Sequence, residues 1–372
     1  GIPRRYTESE VEWLTEPLEN HEEFLDKAHP DRSLEEVHGR SKGSIGLELP
    51  SVPVLYLMTV TRQLMAGNEV RAKIKEDNRE FLEEIIDIYE SAADELESVE
   101  SPGEGIYFDS WDHTDERRTQ EFLENTHLSY TFTGDQAALM KDRQHEELGF
   151  EDHQTIFAEG YSGAVLLPDA GTEELDELVE SFTWANGLYC ENTGYLAFPV
   201  EEESLLEDIA NEAEELKLGD ALDSETDIGT FSKDLREEFE EYMEKVDRMG
   251  YEIMTGGEVE GESIQPTVVK VPREKGESYR KIDDDLVFPD NMFPLVFAFP
   301  YDKLEHAAKK IDSATKNSYR GHPLSLGIFG EEKADIEYIK DNIDAETYHV
   351  NEGTHHVDTM GPHEGEWLVD YV

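Results

Sequence analysis

The sequence predicts an α/β protein made of two consecutive α/β domains, the first organised around a parallel sheet. Three observations predict it. Short strand-like and longer helix-like segments alternate from residue 43 onward, the helical segments repeat apolar residues every three or four positions, and turn residues such as Gly67 and Asn68 punctuate them. Such alternation covers both faces of a parallel sheet with helices and leaves a ligand crevice at the carboxyl ends of the strands.

The first forty residues read as charged helices with sparse apolar anchors, Trp13, Leu14, Leu18, Phe24 and Leu25. Residues 44–49 form the first strand, followed by a loop between Pro50 and Pro53 and an apolar helix over 54–65. A strand over 68–73 precedes a helix over 79–96, in which Phe81, Leu82, Ile85, Ile86 and Tyr89 share one stripe. Strands over 105–110 and 127–133 then alternate with helices over 117–126 and 135–148. A second block opens with an apolar strand at 164–167, a helix at 175–184 and a strand at 195–200. The helix over 202–216 aligns Leu205, Leu206, Ile209, Ala213 and Leu216 beneath an acidic face and stops at Gly219 and Asp220. A helix over 233–249, strands over 267–271 and 294–299, a helix over 303–311 and a strand over 324–329 complete the block. The expected boundaries are 1–157 for a Rossmann-type domain with a helical N-terminal extension, 158–345 for the second domain and 346–372 for a short tail.

Charge limits the partners. Asp and Glu number 89 against 32 Lys and Arg, a net charge of −57. Phosphate backbones and anionic membranes are repelled by such a chain. Disorder is opposed by 37% hydrophobic residues, among them 16 Phe and 16 Tyr. A folded protein kept soluble in concentrated salt fits better, because there the Debye length falls to about 3 Å and self-repulsion is screened. A single cysteine excludes an intrachain disulfide and a multi-cysteine metal centre. The longest apolar run, around residues 52–60, is too short to cross a bilayer, and no apolar core follows the opening Gly-Ile-Pro-Arg-Arg, so a cytoplasmic protein is expected. His355, His356 and His363 are read as solvent-facing loop residues, and no metal is assigned.

Six segments carry chemistry. GSIGLELPSVP (43–53) runs from a strand into a proline-bearing loop, AGNEVRAKIKE (66–76) ends a strand in two lysines and a glutamate, and TFTGD (131–135) joins a strand to a helix. AEGYSGAVLLPDA (158–170) puts a glutamate before an apolar strand, WANGLYCENTGYLAFP (184–199) surrounds the cysteine, and LKLGDALDSETDIGTF (216–231) is rich in Gly and Asp. In this order and at these separations they resemble the aldehyde dehydrogenase superfamily over residues 43–330, most closely in the Asn, Gly and Cys of 184–199 and in the whole of 216–231.

The resemblance implies NAD(P)-dependent oxidation of an aldehyde through a thiohemiacetal and a thioester on Cys190. Glu159 would activate the deacylating water, with Glu191 as rival, and Asn186 and Ser51 would serve the oxyanion and the cysteine loop. Lys73 and Glu76 would meet the adenosine ribose of NAD or NADP, Thr133 and Gly134 the pyrophosphate, and Phe288 would line the cofactor. By the residues alone, a lone cysteine is a small buried hydrophobe and any glutamate of this chain a solvated surface group. Departures from the family pattern are Ser51 and Val52 where an asparagine is usual, Asp135 where serine is usual, and Leu286 where a second ribose-binding glutamate is usual. The segment after Glu159, about two residues shorter than the family's, keeps open a CoA-acylating aldehyde dehydrogenase, and the changes at Ser51 and Leu286 keep open a catalytically weak relative acting as a structural or binding subunit. Aldehyde substrate, homo-oligomeric assembly with an altered interface, and Cys190 at a cleft between the domains complete the expectation.

Overall fold

The computed structural model describes residues 43–48, 59–64, 68–95, 105–112, 114–133, 135–150, 154–158, 162–171, 174–272, 293–315 and 322–356, with Pro3, Tyr6 and a few residues between 15 and 27. The chain divides into two compact units, one comprising Glu10–Glu159 with Asp358–Val372, the other Gly160–Val357 with Gly1–Ser9. Among the described residues no helix is long and apolar enough to cross a membrane.

The first unit is built on five strands, β1 (Ser44–Glu48), β2 (Glu69–Lys73), β3 (Ile106–Asp109), β4 (Leu128–Thr133) and β5 (Gln154–Ala158), in the order β3-β2-β1-β4-β5. Every neighbouring pair is parallel. The chain steps outward from β1 to β2 and β3, then returns to β4 on the other side. The direction of winding therefore reverses between β1 and β4, where an open parallel sheet holds its ligand. Helices α1 (Arg79–Glu95), α2 (Glu116–Glu124) and α3 (Asp135–Leu148) connect the strands. Ile45, Leu47, Val70, Ala72 and Tyr130 form the core with Leu82 of α1.

In the second unit the sheet runs β14-β13-β6-β7-β12-β11-β8. Its strands are β6 (Ser162–Leu166), β7 (Thr193–Pro199), β8 (Glu252–Thr255), β11 (Thr267–Lys270), β12 (Leu295–Tyr301), β13 (Ser325–Phe329) and β14 (Thr347–Val350). Neighbours are parallel except β8, which runs antiparallel at one edge. The intervening β9 (Val259–Glu260) and β10 (Ser263–Ile264) form a two-stranded antiparallel ribbon.

Helices cover both faces of this mixed sheet, because successive side chains of a strand point to opposite sides. On one face Val165, Tyr195, Ala197, Phe297 and Phe299 pack with Phe239 and Met243 of α6 (Lys233–Arg248), Ile311 of α7 (Leu304–Thr315) and Ile339 of α8 (Lys333–Asn342). On the other, Leu166, Leu196, Phe198 and Val296 pack with Phe182 of α4 (Leu175–Thr183) and Leu206 and Ile209 of α5 (Glu203–Glu215). Burying each such side chain contributes about 1.5–3 kcal/mol.

The α/β class and most of the expected elements are observed, to within a residue or two for most of them. Of the N-terminal anchors Phe24 is described, fully buried beneath the guanidinium of Arg62. Strands β5, β8 and β14, the β9–β10 ribbon and α8 are additions. β5 is a five-residue strand following Glu151 and Asp152, and α8 buries only Ile336 and Ile339. Neither carries an apolar run longer than three residues, and pairing or packing against the sheet supplies what the local pattern lacks. The polar β14 occupies part of the stretch read as a tail.

Candidate active site

Cys190 sits on the connection from α4 to β7. After Thr183 the chain makes a 3₁₀ turn over Trp184–Gly187, and then does something L-residues avoid: Ala185, Asn186 and Gly187 take φ values of 48°, 67° and 70°. Glycine is required at 187 on two counts, since a Cβ there would lie 2.4 Å from the Phe293 carbonyl carbon and the Pro294 nitrogen. The buried Asn186 is tied down by its side chain, whose Oδ1 accepts from the Gly229 N–H at 2.8 Å. That bond joins the cysteine loop to the Gly-rich 216–231 segment, two of the six stretches that carry the family resemblance.

A second asparagine closes the loop. Asn192 Oδ1 accepts from the Tyr189 N–H at 2.8 Å, while its Nδ2 donates to the carbonyls of Ser181 and Trp184 at 3.0 and 3.1 Å. Ser162 of β6 donates to the Cys190 carbonyl at 3.0 Å and accepts from the Ser325 N–H. The half-buried Cys190 thiol donates to Glu191 Oε2 at 3.0 Å. Thiol and carboxylate thus lie within hydrogen-bond reach on a loop pinned at both ends. Glu191 stood in the sequence as the rival base. Asn192 and Ser162 were missed; the clue to Asn192 was an amide side chain two residues past the cysteine at the mouth of a strand, a position where Asn commonly bonds nearby backbone.

Behind the loop, Trp184 stacks on His355 with ring centroids 4.7 Å apart and packs against Tyr6 at 4.6 Å. His355 was expected to face solvent; it is 3% exposed, because the Trp184 ring covers it. His356 is exposed as expected, and His363 lies outside the described residues.

In the first unit, β1 ends in a carboxylate that the sequence reading passed over. Glu48 is 6% exposed, ion-paired with Lys141 of α3 and 3.7 Å from Lys73 Nζ at the end of β2. Burial pushes the Glu48 carboxyl up, and Lys141 and Lys73 more than reverse this, holding it below the ordinary range. Burial brings the Lys73 ammonium down to about 8; Glu48 pulls it partly back and Lys141 pushes it further. Lys73 also lies 5.0 Å from the centre of the Trp111 ring. Glu48 Oε1 is buried and has no hydrogen-bond partner. The clue was an acid inside an otherwise apolar strand, which burial permits only beside compensating charge.

Glu76 stands on an exposed 3₁₀ turn, bound in two places by Arg79 at 2.8 and 3.1 Å. Thr133 ends β4, its backbone paired with Ala158 of β5, and α3 begins at Asp135. Lys73, Glu48 and Thr133 therefore lie at the carboxyl ends of the adjacent strands β2, β1 and β4. Ser51, Gly134, Glu159 and Phe288 lie outside the described residues, as does Leu286. A cavity of about 330 Å³ opens along β2, β3 and α2, lined in part by Arg71, Tyr107, Trp111 and Arg118.

The profile of the aldehyde dehydrogenase family matches residues 54–366. Solved structures with the same fold include an aldehyde dehydrogenase from Bacillus cereus in complex with NAD+, with TM-score 0.69 and 18% identity over 84% of this chain and 60% of that one. A glyceraldehyde-3-phosphate dehydrogenase from Methanocaldococcus jannaschii complexed with NADP gives 0.69 and 17% over 85% and 65%. A salicylaldehyde dehydrogenase from Pseudomonas putida complexed with salicylaldehyde gives 0.70 and 16% over 87% and 64%. The chain thus spans less than two thirds of the length of each. No curated protein sequence matches it. A family profile satisfied over most of the sequence, on a fold shared with these enzymes, makes this chain a member of the aldehyde dehydrogenase family.

Proposed function

We propose that this chain oxidises an aldehyde with NAD or NADP, using Cys190 as the nucleophile. The observation that carries the reading is the thiol hydrogen-bonded to Glu191 at 3.0 Å on a loop held by Asn186 and Asn192. Attack by sulfur forms a C–S bond at the aldehyde carbon and moves the carbonyl electron pair onto oxygen, while the thiol proton passes to Glu191. Bound nicotinamide supplies the acceptor for the hydride that leaves the thiohemiacetal carbon as the thioester forms. Water then cleaves the thioester, releasing a carboxylate and returning the thiol. Glu159 is the proposed base for that water, with Glu191 the alternative once it has released the thiol proton to solvent, and Ser51 the proposed oxyanion donor. Asn186 is assigned to holding the loop through its Oδ1, which accepts from the Gly229 N–H, and its Nδ2 is the group that would donate to an oxyanion.

The residues of the first sheet fit a dinucleotide. Lys73 offers a cation and Glu48 Oε1 an unpartnered acceptor on neighbouring strand ends, chemistry that suits a ribose with its attached phosphates. Thr133 and Gly134 lead into α3, whose first amides would meet the pyrophosphate. Glu76 would have to release Arg79 to reach a ribose hydroxyl. NAD+ and NADP each occur in a structure with this fold, which supports either cofactor.

Alkylation by iodoacetamide in concentrated KCl, with and without NAD or NADP, tests the reading. Rapid modification of Cys190, altered by one nucleotide and abolished in Cys190→Ser, is the expected result. Slow labelling indifferent to both would make the chain a non-catalytic relative. Turnover that requires CoA would replace water by CoA in the final step.

A further inference from the structure

We propose that Glu177, His355 and His356 form a binding site for a divalent transition metal of the zinc class, clasping the loop after β14 onto α4. Glu177 belongs to the first turn of α4, and the two histidines follow β14 at residues 355 and 356. One ligand atom from each lies within 4.8 Å of the other two. His356 Nε2 and Glu177 Oε2 are already 3.0 Å apart, and the same oxygen accepts from the Gly353 N–H at 3.1 Å, which fixes the carboxylate. Around a tetrahedral zinc with bonds near 2.0–2.2 Å, neighbouring ligands sit about 3.3 Å apart. Small side-chain rotations therefore close the cluster on a metal.

The independent observation is His355. It is 3% exposed, packed between Trp184 at 4.7 Å and the ring of His356 at 4.3 Å, and its Nδ1 is buried with no hydrogen-bond partner. A buried imidazole nitrogen without a partner is costly, and a metal is one of the few things that can use it without a new protein group. Among the described residues, this is the one group of three or more His, Cys, Asp or Glu with such spacing.

The donor set decides the class of metal. A surface with net charge −57 attracts any dication, but oxygen-only clusters hold Mg²⁺ or Ca²⁺, whereas two imidazoles with one carboxylate favour Zn²⁺, Ni²⁺ or Cu²⁺. The clasp also reaches the cysteine loop. Thr354, between Gly353 and His355, donates to the Glu191 carbonyl and shares a 2.9 Å hydrogen bond with Thr193 Oγ1. Metal binding would thus brace the segment from Trp184 to Thr193 from behind.

Calorimetric titration of the full chain with ZnCl₂, after chelator treatment and in concentrated KCl with excess Mg²⁺, tests this. One Zn²⁺ per chain is expected, at micromolar Kd or tighter, weakened at least about tenfold in His356→Ala and in Glu177→Gln. Both residues are at least partly exposed, so both variants should keep the wild-type circular dichroism spectrum. Substituted Co²⁺ should show the intense visible absorption of a four- or five-coordinate site and quench tryptophan emission through Trp184. Zinc uptake that Mg²⁺ displaces, or that stays at the wild-type affinity in either variant, would overturn the proposal, as would a purely octahedral Co²⁺ spectrum.

Discussion

At the scale of single residues, the chemistry depends on where two charges can go. The Cys190 proton has Glu191 within 3.0 Å. Glu191→Gln is expected to lower turnover about 10²–10⁴-fold, the range for losing a positioned general base, with nucleotide affinity unchanged. Single-turnover kinetics checks it; an unaltered rate would hand the proton to another group. Lys73 is the second case. With its ammonium brought down to about 8, it carries a charge below that pH and loses it as pH rises through it. Affinity for NAD or NADP should therefore fall above about pH 8, and Lys73→Arg should flatten the fall, because a guanidinium stays charged. A fluorescence titration across this range reads the effect directly. The second expectation was not available from sequence, since Lys73 owes its shift to burial in the folded unit, with Lys141, 68 residues away along the chain, adding to it and Glu48, 25 residues away, opposing it.

At the scale of an element, the cysteine loop is a backbone conformation held by side chains. Ala185 and Asn186 in the left-handed region are a cost that the hydrogen bonds of Asn186 and Asn192 offset. Asn192→Ala would leave the Tyr189 N–H and the carbonyls of Ser181 and Trp184 without their partner in a buried setting. It is expected to destabilise the protein by about 2–4 kcal/mol, measured by urea unfolding in salt. The Asn–Gly–Cys string was legible as a loop whose family resemblance makes Cys190 the candidate nucleophile. Its geometry was not, because the groups that hold it, Gly229 and Ser162, come from distant segments. The same limit applies to α8 and β14, whose sparse apolar residues become a core only when the sheet is there to receive them.

For the whole molecule, charge dominates. A net charge of −57 on 372 residues repels itself in the folded state, and dilute buffer barely screens it. Raising KCl from about 0.1 M to about 1 M shortens the Debye length from about 10 Å to about 3 Å, so the thermal midpoint should climb steeply over that range. Differential scanning fluorimetry would show it, and a flat response would remove salt adaptation as the reason for the acidic composition.

What the sequence alone determined was the α/β class and the order and approximate bounds of most elements, because periodicity and turn chemistry are local properties that survive without a partner, while Cys190 became a candidate through the family resemblance of its segment. What only the tertiary structure decided was which groups meet: Glu48 with Lys73 and Lys141, Cys190 with a loop fastened by Asn192 and Ser162, Glu177 with His355 and His356. All of those meetings except that of Asn192 join residues tens to nearly two hundred positions apart, and they are set by sheet order and by the burial that removes water as a competing partner, neither of which any short stretch of sequence contains.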